Sequence, residues 1–131
     1  VGVAITDPLG LWARPLLVIR RRSRQEDFDA IANLVEEYQA SRVVVGHPLS
    51  MAGQVGPQAQ RVERYAAALA EHVNVPVVLW DERLSTAEAE RLLRESGETS
   101  REFRGRVDAV AAAVILQSYL DAAEEREQTV D

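Results

Sequence analysis

Three carboxylates and a histidine stand where an α/β chain can do chemistry. Asp81-Glu82-Arg83 ends the apolar run Pro76-Val77-Val78-Leu79-Trp80, and Asp108 leads into the almost wholly apolar stretch 109–116. Gly46-His47-Pro48-Leu49 leaves a second apolar run, Arg42-Val43-Val44-Val45. A carboxylate held against apolar surroundings is costly unless a cation pairs with it. Here the cation is a divalent metal or one of Arg83, Arg104 and Arg106. Other catalytic classes lack their residues. There is no Cys, no GxGxxG, no GK[ST], no HExxH and no Ser-centred elbow. Carboxylate-plus-metal chemistry is the class that is left. Each carboxylate also has a structural reading: Asp81 or Glu82 caps the next helix and pairs with Arg83, and Asp108 occupies a first helical turn. Neighbouring strand residues point to opposite faces, so only one of Asp81 and Glu82 faces a site shared with Asp108. His47, in a loop next to Pro48, is a candidate phosphate or proton handle, against the commoner reading of an incidental loop histidine. His72 ends its helix on the solvent side.

Strands alternating with helices must position these groups. Val1-Gly2-Val3-Ala4-Ile5-Thr6 is β-prone, and Asp7-Pro8-Leu9-Gly10 is turn chemistry. Leu16-Leu17-Val18-Ile19, entered through Pro15 and closed by Arg20-Arg21-Arg22, completes an antiparallel pair. Phe28, Ile31, Ala32, Val35 and Tyr38 recur at helical spacing over 26–39, with Glu26 and Asp27 in the first turn. The runs 42–46 and 76–80 read as strands buried on both faces, as in parallel sheets. Between them Pro57 opens a helix whose stripe is Val62, Ala66, Leu69 and Val73. Ser85-Thr86-Ala87-Glu88 has the form of a capping box for a helix that stops near Ser96-Gly97. A polar loop, 98–106, leads to an interior helix over 107–123. The order β-β-α-β-α-β-α-α predicts a mixed sheet with helices on both faces and function at the carboxyl ends of its strands.

Size and charge narrow the class. The chain of 131 residues, 47% apolar, makes one domain over 1–123, followed by an acidic disordered tail, 124–131. No apolar run is long enough to cross a membrane and no signal segment leads the chain, so a cytoplasmic protein is expected. The net charge of −6 comes from 15 Arg, no Lys and 21 acids, and −4 of it falls in residues 121–131. A mildly acidic body argues against coating duplexes non-specifically, though it permits a local Arg-lined groove.

Five segments, taken together, resemble the successive motifs of the YqgF/RuvX family. They are 1–7 (VGVAITD), 44–53 (VVGHPLSMAG), 56–59 (GPQA), 81–89 (DERLSTAEA) and 108–120 (DAVAAAVILQSYL). The pairing of the fourth with the fifth is the specific part. The resemblance implies a ribonuclease-H-like α/β fold and a cytoplasmic bacterial nuclease that processes the 5′ end of pre-16S ribosomal RNA. Holliday junction resolution in DNA recombination is the alternative, and a non-catalytic ribosome-assembly module is a third reading. Carried over, Glu82 and Asp108 are metal ligands for two ions, Mg²⁺ or Mn²⁺. Arg83, Arg104, Arg106 and His47 would then contact structured RNA or branched DNA. No membrane partner is implied, and the chain is expected to be a monomer or homodimer. His47 stands where Leu is common in the family, and the loop before Asp108 uses Arg where Lys is frequent. The family's first carboxylate, in a D-x-G strand before the Val1 segment, has no counterpart. The chain is therefore expected to be trimmed and catalytically silent as given, its absent strand lying between 1–6 and 42–46. Direct pairing of 3–6 with 43–46 would instead make Asp7 the candidate for that first carboxylate.

Overall fold

The computed structural model describes residues 1–20, 23–49, 52–81 and 100–129, with side chains of the last segment between 107 and 123. Its elements are β1 (Gly2–Thr6), β2 (Ala13–Val18), α1 (Arg24–Glu37), β3 (Val43–His47), α2 (Pro57–His72), β4 (Val77–Asp81) and α3 (Ser100–Thr129). They fall into two compact units: Val1–Val18 with Leu84–Asp131, and Ile19–Arg83. The division lies within the span that composition reads as one domain. Among the described residues the strands pair in two ladders, antiparallel β1–β2 and parallel β3–β4, within the α/β class expected from the element order. Each pair belongs to its own unit. The helix expected after Ser85 lies outside the described residues.

In the first unit β1 and β2 pair antiparallel, with a register shift between Val3 and Ala4. Val3 faces Leu17 and Ala4 faces Pro15, so Leu16 is the extra residue of a bulge. Pro15 has no N–H to give the ladder, which is why the irregularity sits beside it. β2 therefore starts earlier than expected, at Ala13. Gly2, Ala4 and Thr6 share one face by alternation, and Gly2 lies directly against the backbone of α3 at Asp108. Small residues on that face let the helix approach closely. Among the described side chains of α3, Ala109, Val110 and Ile115 are buried.

α3 departs from expectation at both ends. It begins at Ser100, so most of the stretch read as a polar loop is helical, and it continues to Thr129 through most of the supposed disordered tail. Polarity misled at both ends. Arg, Glu and Gln are good helix formers, and the single Gly105 costs only about 1 kcal/mol.

In the second unit Ser23 caps α1, its hydroxyl accepting the Glu26 N–H at 3.1 Å. That cap sets the start at Arg24, two residues before the expected 26 and four before Phe28, the first apolar residue of the helix. α2 opens on Pro57 at its first turn, as the sequence predicts. Phe28, Leu69 and Val73 form the buried core, packed with Ile31, Tyr65, Val43, Val45, Val75 and Val77. Phe28 meets Tyr65 edge-on with ring centroids 5.0 Å apart. His72 does more than end its helix: its Nε2 lies 3.0 Å from Oδ1 of Asp29, tying α2 to α1.

Candidate functional site

β3 and β4 run parallel with Val43 opposite Val77, and the ladder ends with His47 opposite Asp81. The two carboxyl ends, where open α/β sheets place their chemistry, thus put an imidazole beside a carboxylate. His47 is the last residue of β3 rather than a loop residue. The turn is immediate, because Leu49 N–H donates to the His47 carbonyl at 2.9 Å. From α2, Glu63 reaches the ring: its Oε1 is 3.0 Å from His47 Nε2. The His47 side chain is 16% exposed and Glu63 41%, so the pair is partly withdrawn from water.

An ionised carboxylate only accepts hydrogen bonds, so Nε2 carries the proton in this pair. Nδ1 is then the nitrogen left for another partner, and no other described residue bonds the ring. A half-buried imidazole held by one nitrogen can offer the other as an acceptor for a proton in transit, and once protonated there it can donate to a phosphate oxygen. Glu63 was not among the residues that sequence singled out. It lies 16 residues from His47, and no local pattern marks the pair.

Asp108 occupies the other unit, more than two turns inside α3. A first-turn role in the helix dipole is therefore excluded. Its side chain is exposed, whereas the next two residues, Ala109 and Val110, are buried. A Cβ built on Gly2 would overlap the Asp108 carbonyl and come within 2.7 Å of the Ala109 nitrogen. The backbone that carries this carboxylate is thus fixed by β1. Asp7 has a different task. Its Oδ1 accepts from the N–H groups of Leu11 at 2.7 Å and Trp12 at 3.2 Å, which closes the β1–β2 loop. β1 pairs with β2, so the condition that would make Asp7 a metal carboxylate is not met.

Glu82 and Arg83 lie outside the described residues. Arg104 and Arg106 lie on the first turns of α3, with side chains outside the description. Among the described residues no three His, Cys, Asp or Glu side chains gather into a metal-binding group. The donor chemistry that Asp108 contributes is a hard carboxylate oxygen, which suits Mg²⁺ or Mn²⁺. No described helix is long and apolar enough to cross a membrane.

Comparison with known proteins covers nearly the whole chain. A family model described as RuvX, Holliday junction resolvase, matches residues 1–122. A protein of Anaeromyxobacter sp. (strain Fw109-5), named "Putative pre-16S rRNA nuclease", is 50% identical over 121 residues, covering 92% of this chain and 88% of the relative. Proteins of the same name from Thermoanaerobacter pseudethanolicus and Syntrophus aciditrophicus are 45% and 46% identical. Each match covers 93% of this chain, and 88% and 81% of the respective relative.

Proposed function

This chain belongs to the RuvX family, and from that premise we propose that it is a nuclease hydrolysing phosphodiesters of structured RNA, namely the 5′ region of pre-16S ribosomal RNA. The fold is the ribonuclease-H-like α/β fold that the motifs imply. The relatives' name supports the RNA substrate, and the family description supports the resolvase alternative on branched DNA. The structural observation that carries the reading is Asp108, an exposed carboxylate on a helix otherwise packed by apolar residues, with its backbone fixed by Gly2.

In this reading Glu82 and Asp108 hold Mg²⁺ or Mn²⁺. Bound divalent ions supply Lewis acidity and a nucleophilic water. The chain's own groups do the rest. Arg83, Arg104 and Arg106 bind substrate phosphates, a task the net charge of −6 leaves to local arginines rather than to a broad field. His47, oriented by Glu63, presents its second nitrogen at the end of β3 to the substrate strand. Such substrates place the protein in the cytoplasm.

The test is cleavage by the full-length protein of a pre-16S 5′ fragment and of a four-way DNA junction, with Mg²⁺, Mn²⁺ or EDTA. RNA cleavage that needs the metal and is lost in Asp108→Asn is expected. Cleavage of the junction alone would favour the resolvase. Cleavage that survives EDTA would remove the metal, and RNA binding without cleavage, unaffected by Asp108→Asn, would make the protein an assembly module.

A further inference from the structure

The β1–β2 loop presents three large apolar side chains to solvent: Leu9 is 80% exposed, Leu11 50% and Trp12 70%. This loop is built to hold one shape. Asp7 closes it from within through Leu11 and Trp12, as above. The Asp7 N–H donates to the Trp12 carbonyl at 3.0 Å, and the Gly10 N–H donates to the Asp7 carbonyl at 2.9 Å. Gly10 takes φ 70°, a conformation that glycine adopts without strain. Gln117 of α3 clamps the loop from outside. Its Oε1 accepts the Ala13 N–H at 2.8 Å, and its Nε2 donates to the Leu11 carbonyl at 3.1 Å. A loop whose backbone is already held in one conformation gives up less entropy on docking. A Trp carried on so constrained a backbone and flanked by leucines has the make-up of an interface anchor.

The charge beside the loop selects its occupant. The same Gln117 amide donates to Oδ1 of Asp121 at 3.0 Å, which puts this exposed acid one side chain away from Leu11. The next turn of α3 reads Glu124-Glu125-Arg126-Glu127, and residues 121–131 carry −4. Nucleic-acid phosphates brought onto the loop would approach Asp121 and a helix end whose sequence is acidic, and like charge repels them. Arg14, exposed on β2, offers them one cation. A partner that fits must bring an apolar pocket inside a basic rim. Proteins that package structured RNA have such rims, because they neutralise phosphate.

We propose that the 9–12 loop, with Asp121 of α3 beside it, docks a basic protein surface bearing an apolar pocket, and so brings the nuclease to RNA already bound by that protein. The inference rests on the RNA reading above for the identity of the partner, not for the docking chemistry.

The probe is the RNA-free protein fraction of the organism's small ribosomal subunit, passed over the immobilised full-length protein at low salt. Whatever is held is identified and titrated singly. A basic protein is expected to bind, with affinity falling about tenfold or more in Trp12→Ser and again in Leu9→Ser. Asp121→Asn should weaken binding and flatten its salt dependence, while Arg14→Ser leaves it unchanged. Both loop variants should keep the wild-type melting temperature, since these side chains are exposed. Four outcomes would overturn the proposal: no basic protein held, equal binding by the loop variants, a homodimer that Trp12→Ser dissociates, or loss of RNA binding alone in Trp12→Ser. Cleavage of RNA is measured in parallel. Docking through Trp12 by a protein that cleaves nothing sinks the nuclease reading only, and cleavage without a docked partner sinks the docking only.

Discussion

His47 and Glu63 meet at 3.0 Å across β3 and α2, and the bond determines which nitrogen of the imidazole the strand edge can offer. Asp81 stands opposite His47 in the ladder, so the ring lies between two carboxylate-bearing elements at the carboxyl edge of the sheet. Glu63 is on α2, behind the ring. Its effect on any reaction is exerted through His47, which makes it a positioning residue.

The pair predicts a tautomer. At a pH where the ring is neutral, His47 should carry its proton on Nε2, with Nδ1 as the acceptor. The ¹⁵N shifts of the two ring nitrogens report this directly. Glu63→Leu should release the preference and give a mixture of tautomers, because no carboxylate then fixes the proton. An unchanged Nε2–H population in Glu63→Leu would show that another group orients the ring.

Gly2 predicts a steric limit. A side chain at this position meets the backbone of Asp108 rather than the flexible end of a side chain. Gly2→Ala must move β1 or α3, at about 1–3 kcal/mol by analogy with overpacked cores. Chemical denaturation reads the loss as a lower midpoint. If the nuclease reading holds, activity should fall as well, because the displaced helix carries Asp108.

How much of this was legible follows from where the determining contact lies. β3 and β4 are unbroken apolar runs, and such strands declare themselves. α2 has a proline at its first turn and an apolar stripe, so its limits were readable too. The start of α3 was not, because Gly105 and the surrounding charges imitate a loop, while nothing there forbids a helix. Asp108 was singled out for its chemistry, yet its place inside the helix depended on that misjudged start. Glu63 and Gln117 were invisible for another reason. Their partners lie 16 residues or more away, and a polar residue on a helix gives no local sign of the loop or strand it will meet.

Gln117 predicts a local loosening. Its amide satisfies the Ala13 N–H and the Leu11 carbonyl, and Leu in its place leaves both without that partner. Backbone groups that lose a partner cost about 1–3 kcal/mol when buried, and less at this partly exposed site. Gln117→Leu should therefore speed amide exchange at Ala13 while leaving the core of the other unit protected. The same variant should weaken the proposed docking of Trp12 without removing its indole.

The last prediction concerns the end of α1. Ala40 N–H donates to the Val35 carbonyl at 2.9 Å, and Gln39 N–H to the Glu36 carbonyl at 3.3 Å. Together they make a Schellman closure, and Gln39 occupies its left-handed position with φ 52°. Glycine is the residue that normally serves there, because a Cβ in the left-handed region costs about 1–2 kcal/mol. Gln39→Gly relieves that strain and gives back part of the gain through the greater freedom of the unfolded chain. The net expectation is stabilisation by about 0.5–1 kcal/mol, read as a higher denaturation midpoint with an unchanged slope. Gln39→Val moves the other way, since a β-branched side chain tolerates this backbone least. Equal stability of the Gly and Val variants would mean that the helix ends in some other conformation in solution.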